Sequence, residues 1–527
     1  MDRRSFLNLA ATTALGALAA PALIGCATPA PTWTADPFSL GVAAGDPAPD
    51  GFVLWTRLAP DPLSADPKTP GGLRGGNIEI AYEIATDPNM REIVQRGTAV
   101  AEAAYAHSVH LEIHGLAPGR PYWYRFTSGA AASRIGKAAT LPALGARVDN
   151  LRFAFVSCAN YEIGYFSAYR HLADEQPDLV LFLGDYIYEY MERRRPTVRA
   201  HSDGVEALSL ATYRNRYAQY RQDPDLQRLH ATAPMLVTWD DHEVDNDYTG
   251  EWSMRFIEPS VFLTRRNAAY QAFYEHMPLR PRRYDTRSHA IRLHDRFAYG
   301  DLLEFSVTDP RQHRSRLACP TPPNRGGGHL ETLASCPEIM DPSRSFLGLQ
   351  QEGWLMDGLA RSRARWNVIA QSTLMSQWRQ RGENNEINFW TEDWNGYAPS
   401  RTRLLQHIHD ARVANPVVIG GDIHSFWAND LKLDFNDMKS PTVATELIGS
   451  SITSFGPPYE QFLKYLPDNP HIRFFDSRQR GYVSVDLTRS RMTARFRTVS
   501  DVRQPDASVA TLKSFTVEDG RAGTVTG

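Results

Sequence analysis

Five apolar runs between residues 150 and 425 end in side chains that can bind cations. Leu151–Val156 runs into Ser157-Cys158-Ala159-Asn160, and Asp178–Leu183 into Gly184-Asp185-Tyr186-Ile187-Tyr188-Glu189. Met235–Trp239 is followed by Asp240-Asp241-His242-Glu243-Val244-Asp245-Asn246-Asp247. Trp366–Ala370 leads to Gln371-Ser372-Thr373, and Pro416–Ile419 to Gly420-Gly421-Asp422-Ile423-His424. Each block alone has an ordinary reading. A single Cys such as Cys158 packs in cores, Gly184-Asp185 makes a turn with a helix cap, and Gly421-Asp422-x-His424 is a weak signal. An apolar strand feeding three acids in four residues argues for a cation. The conjunction of all five is hard to produce by chance. Ligands of α/β sheets bind beyond the carboxyl ends of strands, so these ends are expected to converge on one site.

The donor types narrow the ion. Thiolate, phenolate, carboxylate and imidazole together suit iron. The extra carboxylates and Asn246 suit an oxygen-seeking second ion such as Ca²⁺, Mg²⁺ or Mn²⁺. Asp185 is the natural bridge. Two cations about 3.5–4 Å apart hold a hydroxide and clamp a phosphoryl oxygen, which is the design of a hydrolase.

Two kinds of element must carry these ends. Residues 37–147 read as all-β: Phe52–Thr56, Ile78–Glu83 and His110–Ile113 alternate with period two. Leu116–Phe126 resembles the corner of a fibronectin- or immunoglobulin-like sandwich, where a Tyr locks a turn. From about residue 150 strand-length runs alternate with helical stretches, the grammar of an α/β domain over 150–520. Helices are expected over Phe166–Asp174, Thr212–Arg221, Val261–His276, Gly348–Arg361 and Ser400–Ala411, with two last strands over Arg480–Phe496.

Residues 1–30 read as an address. Arg3-Arg4-Ser5-Phe6-Leu7 before an apolar stretch from Leu9 to Ile24 is a twin-arginine export signal, read by that translocation machinery. Leu23-Ile24-Gly25-Cys26 resembles a lipobox that would anchor Cys26 to a membrane lipid; ordinary cleavage near Pro21 or Ala27 is the alternative. Either way the chain is expected in the periplasm, outside the cell or on its surface. Of four cysteines, Cys319 and Cys336 share a Pro/Gly-rich insert and are expected to form a disulfide there. Cys158 is left unpaired. At 527 residues, 42% hydrophobic and 22% charged, the chain is a globular protein of two or three domains. Its net charge of −3 gives no electrostatic case for nucleic acid as the main partner.

Taken in order, these blocks resemble the PhoD-type alkaline phosphatases of the calcineurin-like metallophosphoesterase superfamily. The resemblance runs from about residue 38 to 520. It includes Ser157-Cys158, Gly184–Glu189, Trp239–Glu243, Arg265-Arg266-Asn267-Ala268-Ala269-Tyr270 through Pro278, Asp309-x-Arg311-Gln312, Gly421–His424 and Ser450–Ser454. It implies a β-sandwich on a four-layer αββα core, and a phosphate ester hydrolase using Fe³⁺ and Ca²⁺. By motif, Cys158, Asp185, Tyr188 and His424 would hold iron. Asp185 would bridge to calcium, completed by Asp422 and either Asp241 or Asn246. His242 would stabilise the transition state or protonate the leaving group, or else orient a ligand. Arg265, Arg266 and Arg311 are candidate phosphate clamps, for each of which an ion pair to an acid is the commoner use. One departure stands out: the family's Asp-Gly-Tyr after a Trp reads Asn395-Gly396-Tyr397 here, one negative charge fewer near a calcium position. Two rival functions fit parts of the pattern. One is a phosphodiesterase acting, phospholipase D-like, on lipid headgroups, nucleotides or cell-wall polymers. The other is a surface lipoprotein that binds iron or phosphate without turnover.

Overall fold

The computed structural model describes residues 31–64, 66–193, 195–322 and 326–526. The export signal and Cys26 lie outside the described residues.

Strands whose every position is apolar are buried on both faces. Leu179–Leu183, Leu-Val-Leu-Phe-Leu, has no exposed residue. It lies between Asn150–Val156 and Met235–Thr238, parallel to both. Arg480–Thr488, Arg491–Val499 and Val509–Glu518 continue this sheet as an antiparallel run. A second sheet sets Leu303–Val307, Trp366–Ala370, Pro416–Gly420 and Thr442–Ile448 in parallel. The two sheets face each other through Phe153, Phe155, Leu181 and Val485 on one side and Phe305, Val368, Ile419 and Leu447 on the other. Helices cover the outer faces. Ser167–Asp174, Leu210–Arg221, Pro224–Thr232 and Pro259–His276 pack on the first sheet, with Tyr169, Tyr217, Leu229 and Phe273 against Val180 and Phe182. Leu349–Arg361 and Ala398–Asp410 pack on the second through Leu355, Leu404 and Ile408. This is the expected αββα layering.

Helix starts follow their caps. Ser209 and Thr212 form a reciprocal capping box at Leu210. Asp223 accepts from the N–H groups of Asp225 and Leu226, with Pro224 in the first turn. The Asp-Pro signal for that helix is plain in the sequence, although the helix is absent from the sequence-based expectation.

In the all-β region, Ile78–Ala85, Ile93–Ala101 and Pro121–Ser128 lie in one sheet, facing Val42–Ala48, Gly51–Arg57 and Ser108–Ile113. Phe52, Leu54, Ile84, Tyr124 and Phe126 fill the space between. The Tyr corner forms: Tyr122 Oη accepts from the Ala117 N–H at 3.0 Å and donates to its carbonyl at 3.2 Å.

The sequence does not disclose that the two regions share a sheet. Val42–Ala48 runs parallel to Met235–Thr238, with Gly45 opposite Met235. Among the described residues this makes one sheet of ten strands. A Cβ at Gly45 would stand 3.0 Å from the Met235 carbonyl oxygen and 2.5 Å from that of Pro278, so the junction needs glycine. The end of Pro259–His276 docks on the same region. Trp55 Nε1 donates to the Glu275 carbonyl at 3.0 Å, and Arg57 Nη1 lies 2.7 Å from His276 Nε2.

Tyr122→Phe removes both corner bonds and leaves the Ala117 groups to find water. We expect a stability loss of about 1–2 kcal/mol, read as a lower urea midpoint with an unchanged m-value.

Candidate metal centre

The loops that follow the parallel strands meet at one edge of the two sheets. Ligand atoms of Cys158, Asp185 and His424 lie within 4.8 Å of one another, and so do those of Asp185, Asp241 and His242. Asp185 is common to both groups. Tyr188 Oη donates to Asp185 Oδ2 at 2.9 Å, stands 3.2 Å from His424 Nε2, and accepts from Ser454 Oγ at 2.7 Å. Asp422 Oδ2 accepts from Thr373 Oγ1 at 2.6 Å.

The backbone is bent to aim these groups. Cys158, Asp185, Asp422 and His424 have φ of 62°, 55°, 59° and 51°. Such left-handed conformations cost roughly 1–2 kcal/mol each outside glycine, and they gather where function over-determines them. Neighbouring loops hold them. The Cys158 N–H donates to the Gly184 carbonyl at 3.1 Å, and the Ala159 N–H to that of Asp185 at 2.9 Å. Gly184 has φ +107°, and a Cβ there would stand 2.6 Å from the Asp240 backbone nitrogen. Glu243 ties the same two loops, accepting from the N–H groups of Asp185 at 3.1 Å, Asp240 at 2.9 Å and Tyr186.

Burial makes charge expensive here. It is the largest cause pushing the Cys158 thiol, the Asp185 and Asp422 carboxyls and the Tyr188 phenol well above their ordinary ranges. Neighbouring anions add to it: Asp185 and Asp422 act on Cys158, and Glu392, Asp240 and Asp241 on Asp422. Asp247 and Glu243 rise to about 7, again chiefly through burial. Asp185 Oδ1 and Asp240 Oδ2 are buried without a hydrogen-bond partner. A crowd of buried oxygen donors with orphaned atoms, joined by a thiol and an imidazole, is a donor set that fits cations. The His424 ring is oriented for the task. Its Nδ1 donates to the Phe455 carbonyl at 2.8 Å, which leaves Nε2 as the free acceptor beside Asp185 and Cys158.

The Arg311 guanidinium is fully buried among the acids. Its Nε donates to Asp240 Oδ1, Nη1 lies 2.6 Å from Glu392 Oε1, and Nη2 3.6 Å from Asp241 Oδ1. Burial opposes the charge of Asp241, yet Arg311 and then His242 hold its carboxyl below the usual range. Arg265 is spent likewise, on Asp245 Oδ1 at 2.9 Å, Glu206 Oε1 at 3.0 Å and Tyr213 Oη at 2.9 Å. Arg266 donates to the Gly250 carbonyl. For Arg265 and Arg311 this is the ion pair to an acid that is the commoner use of such residues, rather than a free phosphate clamp. A buried guanidinium binds the nearest carboxylates, and Arg265 and Arg311 have theirs within the fold. Asn246 turns its amide to Met254 Sδ at 3.2 Å and its N–H to Glu189 Oε1 at 3.0 Å. His242 Nδ1 lies 2.7 Å from Glu189 Oε2.

Sequence reasoning passed over Glu392, and named Asp247 and Thr373 only within their polar blocks, without a role for either. Glu392-Asp393 sits between Trp390 and Trp394, just ahead of the Asn395 that drew attention instead. Asn395 itself is a packing node. Its Oδ1 accepts from the Trp378 N–H at 3.1 Å and Arg401 Nη1 at 2.9 Å, and its Nδ2 donates to Asp393 Oδ1 at 2.9 Å.

Arg311→Met leaves Asp240, Asp241 and Glu392 without their buried cation. We expect a loss of roughly 3–5 kcal/mol in urea unfolding of the metal-stripped protein. Unchanged stability would assign Arg311 to substrate instead.

Three similarities to known proteins bear on this centre. Residues 153–496 match the family model described as PhoD-like phosphatase, and residues 25–142 that of its N-terminal domain. Alkaline phosphatase D of Bacillus subtilis (strain 168) is 41% identical over 505 residues, which cover 94% of this chain and 83% of that protein. A solved structure described as the structure of PhoD superposes with a TM-score of 0.86 at 40% identity, over 94% of this chain and 95% of that one. The chain belongs to the PhoD-like phosphatase family and is an enzyme, a phosphatase, rather than a protein that binds iron or phosphate without turnover.

Proposed function

We propose that this phosphatase is exported and hydrolyses phosphate monoesters, and diesters as well, at a ferric iron–calcium centre. The observation that carries the reading is the pair of ligand groups that share Asp185. Cys158, Asp185, Tyr188 and His424 would hold the iron. Asp185, Asp422 and one of Asp241 and Asn246 would hold calcium, and Asp241 already stands in the second group. Bound there, such ions supply Lewis-acid activation of water and of the phosphoryl group.

The chain's own residues supply the rest. Glu189 engages His242 at Nδ1, and the His242 ring lies 4.2 Å from that of Tyr188, centroid to centroid. Nε2 is then the nitrogen left to donate to a phosphoryl or leaving-group oxygen. Burial of the surrounding acids keeps bulk water away and strengthens each charge interaction. Export is supported by the Arg3-Arg4 signal and by the Cys319–Cys336 disulfide, a bond of oxidising compartments. An anchor at Cys26 would keep the enzyme at a membrane surface.

Chelation should abolish hydrolysis of nitrophenyl phosphate, with activity returning only on addition of iron together with calcium. Recovery with either ion alone would overturn the mixed centre. Phenolate on ferric iron absorbs visible light, so the native protein should be coloured and Tyr188→Phe should lose or shift the band. A colourless iron-loaded protein would remove Tyr188 from the ligand set. Comparing the nitrophenyl monoester with its diester measures the breadth of the substrate class.

A further inference from the structure

A groove of about 430 Å³ runs beside the candidate metal centre, lined by Ile163, Thr453, Phe455, Arg480 and Val502 among others. Its wall is one peptide group away from the ligands. The Phe455 carbonyl accepts from His424 Nδ1 at 2.8 Å, and Arg480 Nη1 donates to the carbonyls of His424 at 2.7 Å and Ser454 at 3.0 Å.

The groove is cationic in a specific way. Arg478 is paired with Asp476 at 2.5 Å, and Arg503 with Asp501 at 2.9 Å. Arg480 spends its hydrogen bonds on the carbonyls of Ser477, His424 and Ser454 and on Ser451 Oγ, and the Asp476 carboxylate, already paired with Arg478, acts on it only through space. Arg195 adjoins Pro196 of the groove wall, and its guanidinium stands 4.5 Å from the centroid of the Phe455 ring. Phe455 is 39% exposed, a large apolar ring left open beside the centre. Among the described residues the Arg195 guanidinium has this ring contact and no ion pair. A cation parked on an aromatic face is pre-oriented yet keeps its donor fork free.

We propose that Arg195, backed by Arg480 and braced on Phe455, binds a second phosphoryl group of the substrate while the first lies at the Asp185 centre. The proposal rests on the phosphatase reading of that centre and adds a specificity-determining residue to it. The second group is either a separate phosphate on the same small molecule or the neighbouring diester of a chain. Both offer the oxygens that a guanidinium fork matches.

Arg195→Ala and Arg195→Lys test it on three substrates: nitrophenyl phosphate, thymidine 3′,5′-bisphosphate and the dinucleotide pTpT. Arg195→Ala should lower kcat/KM about tenfold for at least one of the last two, and leave nitrophenyl phosphate within about twofold, as expected for loss of one charge-assisted contact. Arg195→Lys should recover part of the loss. A loss confined to the bisphosphate identifies a separate phosphate, and one confined to pTpT a neighbouring diester. No loss on either, or an equal loss on all three, overturns the proposal. Calorimetric binding of the bisphosphate to the metal-loaded protein makes the same wild-type-to-variant comparison without turnover. A wild-type protein that binds it but hydrolyses none of the three would therefore fail the phosphatase reading alone.

Discussion

Acidic side chains held out of water, in greater number than the cations that face them, are the constraint on which this molecule turns. Asp185, Asp240, Asp241, Glu243 and Glu392 are all nearly inaccessible and Asp422 is half-buried beside them, with Arg311 and Arg314 as their buried basic partners. A fold relieves such an excess by keeping protons on the acids or by taking in positive charge from outside. The left-handed residues, the tight approach at Gly184 and the carboxylate of Glu243 strapping two loops together are the means by which the repulsion is contained before any ion arrives.

The layers explain why the excess can be concentrated. Two sheets pressed face to face bring their strand ends to a common edge. The loops there are long, running from Leu183 to the helix that starts at Leu210 and from Thr238 to the one that starts at Pro259, and the acids sit at their beginnings, next to strands locked on both sides. Pro259–His276 then acts at a distance. Arg265 on its second turn neutralises Asp245 and Glu206, while its last residues seat Trp55 and Arg57 of the β-rich region. The long block Arg265–Pro278 is thus mostly scaffold: one helix fastening the two regions together beneath the site.

Much of this was legible in the sequence because the signals are local. Unbroken apolar runs marked the buried strands, their polar ends marked Cys158, Asp185, Asp241 and His424, and a Pro-rich insert bracketed by two cysteines marked the disulfide. What escaped depends on distance along the chain. Glu392 joins the acids through Arg311, 81 positions away in the chain by numbering. Asp247 is fixed by the N–H of Gly328, from the insert that Cys319 and Cys336 close. The arginines show the same limit. A sequence shows that Arg265 and Arg311 are present, but not that each already has carboxylates as neighbours. Nor does residue type reveal that Asn395, two positions along from an acid, faces Trp378 and Arg401.

The shared sheet carries a mechanical corollary. Met235–Thr238 takes Leu179–Leu183 on one flank and Val42–Ala48 on the other, so the β-rich region is a splint for the strand that ends in Asp240 and Asp241. A catalytic fragment begun near residue 150 would leave that flank with bare amide and carbonyl groups, an open seam inviting another chain to zip on. Dissecting this enzyme into halves would therefore yield a sticky, self-associating piece whose acid-bearing loop has lost its anvil.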